Sequence, residues 1–294
     1  MNRFPETVRI VFSAFCLAVW LPVSASAEPI MDVIRSVELD LEARVGFYMH
    51  DMHNGNVIAY AENDRFPMNS TFKLLACGAL LNRVENGKTN LTEAVPLRGV
   101  EIVDYSPAIQ DHIRAGYLEV SFADTCRMML SVSDNTAANI VLTELGGPEG
   151  LTSFLRSIGD QVTRLDRWET ALNEAVPSDP QDTTTPHAIA QSVQHMILGE
   201  ALSPTSRATL REWLADHRVA DALFRAALPP NWSIDDRTGA GGYGSRSIVA
   251  VFYPPDRDPI ITSLFITGTD ADFDTRNAAI ALVGNAIVAY VANE

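Results

Sequence analysis

The strongest constraint on the fold is where strand-like and helix-like patterns fall along the chain. Near the start, Val45-Gly-Phe-Tyr-Met and Val57-Ile-Ala-Tyr flank a stretch containing Asn54-Gly55, the pattern of an antiparallel hairpin. After residue 230 the strand pattern returns. Ser247-Ile-Val-Ala-Val-Phe-Tyr and Ile260-Ile-Thr-Ser-Leu-Phe-Ile flank Pro254-Pro255-Asp256, a turn signal. Between these ends, from about 70 to 215, the chain reads as mostly helical, with no convincing strand pair. Leu145-Gly146-Gly147-Pro148 reads as a helix stop followed by a proline-led helix start. Helical spacing also covers residues 30–42, through Ile30, Val33, Ile34, Val37 and Leu41, and residues 274–292. Strands at both ends bring the termini into one sheet, with the helical stretch inserted between them. The junction of two such lobes is a common place for a ligand cleft. At 294 residues and 47% hydrophobic, the chain has ample material for one large core or two intimate ones.

The N-terminus reads as an export signal ending at residue 27. Arg3 and Arg9 precede a largely apolar run from Ile10 to Val23, and Ala25-Ser26-Ala27 fits the small-x-small cleavage pattern. The run is too short for a durable membrane span, so the expectation is a secreted, periplasmic protein with no membrane association after cleavage. The formal net charge of -15 repels nucleic acid and anionic lipid. Cys16 falls inside the signal, which leaves Cys77 and Cys126. Two cysteines in an exported chain fit one disulfide, or two buried free thiols. The six histidines show no metal-ligand spacing, and neither a metal nor another cofactor is expected.

Of the 22 lysines and arginines only Lys73 and Lys88 are lysine. Arginine keeps its proton in proteins, whereas lysine releases its own once its pKa is lowered. A lysine three residues after a serine therefore stands out in Ser70-Thr71-Phe72-Lys73. On a helix such residues lie roughly 5–6 Å apart on one face, which puts the amine beside the hydroxyl. Pro67 and Asn69 precede an apolar run, Phe72 to Leu81, and this places Ser70 at the helix start. There the free N–H groups and the positive dipole end favour an oxyanion. The short motif alone also fits an N-capping serine with a solvated lysine. Ser133-Asp134-Asn135 precedes a helical segment, Thr136 to Leu145, and Arg237-Thr238-Gly239 ends a strand-like one. A hydroxyl, an amide and a cation facing one serine would hold an anionic amide substrate and relay protons. Each triplet alone also fits a helix cap or a strand end.

Ser-x-x-Lys, Ser-Asp-Asn and Lys-Thr-Gly occur together in class A β-lactamases and penicillin-binding proteins. All three stand here in that order, with Arg for Lys in the last. Tyr105-Ser106-Pro107, Ser133-Asp-Asn-Thr-Ala-Ala-Asn139, Gly146-Gly-Pro148 and Arg164-Leu-Asp-Arg-Trp-Glu-Thr-Ala-Leu-Asn-Glu174 accompany them, as do Asp182-Thr-Thr, Gly239-Ala-Gly241 and Gly244-Ser-Arg246. From about residue 30 to 292 the chain resembles the class A serine β-lactamases. Its Arg-Thr-Gly triplet resembles their carbenicillin-hydrolysing branch. The resemblance implies an α+β, two-lobed fold. A five-stranded antiparallel sheet with flanking helices would be built from residues 28–62 and 216–294, and an all-helical lobe from 63–215. It also implies a monomer acting on small-molecule β-lactams.

The resemblance carries roles as well. Ser70 matches the nucleophile, Lys73 its proton partner, and Ser133 the donor to the departing ring nitrogen. The N–H groups of Ser70 and Ala240 match an oxyanion hole. Asn135 matches the group that holds the side-chain amide, and Tyr105 the cleft wall. Arg237, Thr238 and Arg246 match the carboxylate site, beside Gly239. Glu169 and Asn173 match the pair that holds the water cleaving the acyl ester. Arg167 and Asp182 match the ion pair closing the loop around Glu169, and Cys77 and Cys126 match paired cysteines. Two departures stand out: Asn69 where relatives have a small or apolar residue, and Thr170 where many have proline. A penicillin-binding peptidase would share the serine motifs but lack the Glu169–Asn173 water site. An acylated antibiotic sensor would need a membrane span or an output domain.

Overall fold

The computed structural model describes Met1 and residues 28–293. The expected signal, apart from Met1, lies outside the described residues. The first helix, α1 (Glu28–Asp40), buries Ile30, Ile34 and Val37 along one face. The hairpin follows as β1 (Arg44–Asp51) and β2 (Val57–Tyr60), antiparallel with Phe47 opposite Tyr60. The central stretch then runs through β3 (Phe66–Pro67), α2 (Phe72–Glu85), β4 (Ala94–Pro96), α3 (Pro107–Arg114) and β5 (Glu119–Ser121). Next come α4 (Phe122–Ser131), α5 (Asn135–Leu145), α6 (Pro148–Ser157), β6 (Thr183–Thr184), α7 (Pro186–Ile197) and α8 (Pro204–Ala215). The chain returns to strands in β7 (Ser233–Ala240), β8 (Arg246–Tyr253) and β9 (Ile260–Thr267), and closes with α9 (Phe273–Ala292).

The main sheet is antiparallel in the order β2-β1-β9-β8-β7. The N-terminal hairpin thus joins the C-terminal strands through the β1–β9 pairing. β8 and β9 read as near-continuous apolar runs because both sheet faces are covered, whereas the edge strand β7 buries Asp235, Asp236 and Arg237. Alternate residues point to opposite faces. Phe47, Met49, Ile248 and Phe252 meet Ile34 of α1 and Ile280, Val283 and Ile287 of α9 in one core. Tyr48, Val249, Val251 and Phe265 face the other core, which α2 and the surrounding helices build. Every residue of α2 from Phe72 to Leu81 is buried, as suits a helix enclosed on all sides.

The helix boundaries follow local chemistry. Asp134 caps α5 by accepting from the Ala137 N–H, and its other oxygen accepts from the Ile109 N–H of α3. Gly146 ends α5 in the left-handed conformation, which glycine adopts without a Cβ clash, and Pro148 opens α6. The central lobe, expected to be all-helical, is not. It contains the strand pair β4–β5, and β6 pairs back to β3. At two or three residues each, these strands are too short to show alternation, so periodicity could not reveal them.

Candidate active site

Ser70 lies in a one-turn 3-10 helix, Asn69–Thr71, that runs directly into α2. Lys73 falls in the first turn of α2 and is fully buried. Its Nζ donates to the Ser133 carbonyl (2.8 Å), the Ser133 Oγ (3.2 Å) and Asn135 Oδ1 (2.6 Å). It also lies 3.0 Å from Glu169 Oε1, with both side chains wholly enclosed. Ser133 Oγ in turn donates to Ser70 Oγ (3.1 Å). The spacing predicted an amine beside the Ser70 hydroxyl, and the structure links the two through Ser133. Burial lowers the Lys73 pKa to about 8. Glu169 pulls it upward, and the Arg237 guanidinium pushes it further down.

Glu169 belongs to an irregular segment after α6, held in place by side chains. Asn173 Nδ2 donates to Glu169 Oε2. Asn139, one turn after Asn135 on α5, makes a reciprocal pair with the Glu169 backbone. Its Oδ1 accepts from the Glu169 N–H, and its Nδ2 donates to the Glu169 carbonyl, both at 3.0 Å. Asp182 is buried and accepts from the N–H groups of Asp166 and Arg167 and from Arg167 Nε. Arg167 also reaches Glu174 and Asp179. The Glu169–Thr170 peptide is cis. Asn69, Tyr105, Ser133 and Asp182 all have positive φ, a backbone state that non-glycine residues hold only when their surroundings impose it.

The opposite wall is the end of β7. A Cβ on Gly239 would lie 2.8 Å from the Ser70 nitrogen, so glycine lets the strand approach the 3-10 turn this closely. Thr238, Gly239, Ala240 and Arg246 line a cleft of about 310 Å³ together with Ser70, Tyr105, Ser133, Asn135 and Asn173. Larger hollows exist elsewhere, one of about 470 Å³ behind residues 175–181. Convergent polar side chains rather than volume single out the smaller cleft. Arg246 donates to the Gly239 carbonyl and to Asn277 Oδ1, with its guanidinium 4.8 Å from the Phe273 ring centre. Burial brings the Arg246 pKa down to about 10. Arg237 is wholly buried and does not line the cleft itself. Its Nη2 donates to Ser133 Oγ (2.6 Å) and its Nη1 lies 2.7 Å from His217 Nε2.

The structure therefore brings together Ser70, Lys73, Ser133, Asn135, Glu169 and Asn173, with the β7 residues and Arg246 facing them. Tyr105 stands exposed at the rim. Asn69 is buried, does not line the cleft and donates to Ser245 Oγ. Cys77 of α2 and Cys126 of α4 form a disulfide, with Cα atoms 5.8 Å apart. Three contributors escaped the sequence reading as site residues: Asn139, His217 and Asn277. Asn139 left a signal, since it stands four residues after Asn135 on the same helix face. His217, set aside with the other histidines, left none.

Residues 29–291 match the model of the β-lactamase enzyme family. β-Lactamase AER-1 of Aeromonas hydrophila is 41% identical over 96% of this chain and 93% of its own length. β-Lactamase PSE-4 of Pseudomonas aeruginosa is 40% identical over 95% of this chain and 96% of its own. An ancestral class A β-lactamase structure superposes with a TM-score of 0.85 at 45% identity, covering 88% of this chain and 99% of that one. The chromosome-encoded β-lactamase of Vibrio parahaemolyticus gives a TM-score of 0.86 at 38% identity, over 90% of this chain and 100% of that one. With its sheet, its helices and nearly its full length in common with these proteins, the chain belongs to the class A β-lactamases.

Proposed function

We propose that the protein hydrolyses penicillins through an ester on Ser70. Ser70 Oγ attacks the β-lactam carbonyl carbon while Lys73 and its partners take up the hydroxyl proton. The oxygen of the tetrahedral intermediate sits between the N–H groups of Ser70 and Ala240. As the C–N bond breaks, Ser133 delivers a proton to the ring nitrogen and recovers one from Lys73. A water held by Glu169 and Asn173 then gives a proton to Glu169 and attacks the ester; as the C–O bond breaks, that proton returns from Glu169 through Lys73 to Ser70 Oγ, releasing penicilloate and restoring Ser70. Asn135 holds the side-chain amide, Tyr105 walls the cleft, and Thr238, Arg237 and Arg246 draw the substrate carboxylate. The observation that carries this reading is the enclosed Lys73–Glu169 pair joined through Ser133 to Ser70. Ser70→Ala should lose covalent labelling by benzylpenicillin and at least about 10³-fold in turnover. Normal labelling of that variant in intact-mass spectrometry would contradict the assignment.

The finer reading is a penicillinase that accepts carbenicillin. Arg237 in the Arg-Thr-Gly triplet motivates it. The enclosure of Arg237 behind Ser133 redirects the physical reason. Its charge is available to the ring carboxylate common to all penicillins, not to the extra side-chain carboxylate of carbenicillin. The ratio of kcat/KM for carbenicillin to that for benzylpenicillin should exceed about one-hundredth, and Arg237→Lys should change both substrates alike. A smaller wild-type ratio would end the carbenicillin reading. The same proposal has residues 1–27 directing export to the periplasm and a monomer as the active species. It also has the cleft between a lobe of residues 28–62 with 216–294 and a lobe of residues 63–215.

A further inference from the structure

We infer that His217 is a positioning residue for Arg237, holding its guanidinium against Ser133 while leaving its positive charge unneutralised for the substrate carboxylate. The inference rests on the proposed carboxylate role of Arg237 and adds the group that keeps it in place. His217 lies just past α8, fully buried, with Nδ1 3.0 Å from Asp236 Oδ1 and Nε2 2.7 Å from Arg237 Nη1. An ionised carboxylate only accepts hydrogen bonds and a guanidinium only donates them. One imidazole tautomer satisfies both neighbours: Nδ1 carries the proton and donates to Asp236, and Nε2 accepts from Arg237. Among the described residues, the hydrogen bonds of the Arg237 side chain go to His217 and Ser133 alone, and Nε has no partner. Among the described residues, no carboxylate forms an ion pair with this buried guanidinium; Asp236 pairs with His217 and Arg225 and acts on Arg237 only through space. A direct Asp partner would satisfy the guanidinium and also cancel the field it projects toward a carboxylate. A neutral imidazole satisfies one donor and leaves the charge.

The arrangement fixes a pH direction. Burial holds the His217 pKa below its ordinary 6.5 against the pull of Asp236, and Arg237 and Arg225 lower it further. The charged groups facing His217 are Asp236 and Arg237 on β7 and Arg225 on the 3-10 turn Phe224–Ala227, with Asp216 and Arg218 beside it in its own loop. As pH falls through the His217 titration, Nε2 gains a proton and turns from acceptor to donor against Arg237. The contact is then lost, and substrate capture weakens toward acid pH.

The test compares benzylpenicillin hydrolysis by wild type, His217→Ala, His217→Asn and His217→Gln between about pH 5 and 9. Gln extends a carbonyl oxygen to the Nε2 position, whereas Asn reaches only the Nδ1 position. KM should rise about tenfold in the Ala and Asn variants, with kcat within about threefold, and return to within about threefold of wild type in Gln. The acid-side rise in KM should be absent from the Gln variant. Unchanged KM in His217→Ala, rescue by Asn as good as by Gln, or an acid rise that survives in Gln would each overturn the inference. Nitrogen NMR of wild-type His217 at neutral pH reads the same claim without activity. A proton on Nδ1 and a bare Nε2 are expected, and the opposite tautomer or a doubly protonated ring overturns it. Failure of wild type to turn over any penicillin would count against the proposed reaction, a result separable from each of these.

Discussion

On the loop side of the cleft, residues 164–182 are positioned by side chains: Asp182 accepting from the backbone of Asp166 and Arg167, and Asn139 bracketing the Glu169 peptide. On the strand side, β7 is positioned by its backbone ladder to β8, from Ser233 opposite Tyr253 to Ala240 opposite Arg246. The loop wall brings an anion to Lys73 and the strand wall brings a cation. Glu169 raises the Lys73 pKa and Arg237 lowers it, around the larger downward push of burial. A ladder of many equivalent bonds tolerates the loss of any one side chain. A loop fixed by a few charged contacts does not, because each buried partner is left unsatisfied when the other is removed. Precision on the loop side is therefore concentrated in a few replaceable residues, and damage there should fall on one chemical step.

The sharpest way to break this asymmetry is Asp182→Ala. It leaves the two N–H groups and Arg167 Nε without their shared acceptor, which frees Glu169 without touching Ser70. Deacylation of benzylpenicillin should slow by about 100-fold while acylation stays within about tenfold, measured by stopped-flow burst kinetics. Equal slowing of both steps would show that the loop supports the whole site and not Glu169 alone.

A smaller effect falls on the opposing charges of the two walls. The chain has just two lysines, and Lys88 lies exposed on a turn, so lysine-labelled protein gives two resolvable side-chain signals. Lys73 should titrate at about pH 8 in wild type. Glu169→Gln should move that titration downward, because an anion favouring the ammonium is gone. Arg237→Gln should move it upward, because a repelling cation is gone. The linkage has a definite sign. The folded Lys73 value lies below the ordinary 10.5, so between about pH 8 and 10.5 the unfolded chain holds more protons and stability rises with pH through that window. Shifts in the same direction for the two variants would contradict the account of opposing walls.

The strand wall was more legible in the sequence than the loop wall, for physical reasons. The Asn54-Gly55 hairpin and the apolar runs of β8 and β9 declare themselves through short-range pattern. Ser70 and Lys73 declare themselves because helix geometry relates positions three apart. The loop has no period, and its anchors are long-range. Asn139 meets Glu169 across 30 residues and Asp182 meets the Asp166 N–H across 16. Resemblance named the Arg167–Asp182 pair, but nothing local could have shown Asp182 gathering two backbone N–H groups as well. His217 was invisible for the same reason. A lone histidine in sequence carries no mark of the carboxylate and guanidinium that the fold brings to its two nitrogens.

If Ser70 takes the acyl group and the Glu169 wall removes it, losing Glu169 should strand the acyl group on Ser70. The most direct test is intact-mass spectrometry of Glu169→Ala after minutes with benzylpenicillin. A persistent adduct with the mass of the whole penicillin, localised by peptide mapping to Ser70, is expected, with steady-state turnover reduced by at least about 10³-fold. Unmodified protein turning over at the wild-type rate would contradict these roles of Ser70 and Glu169.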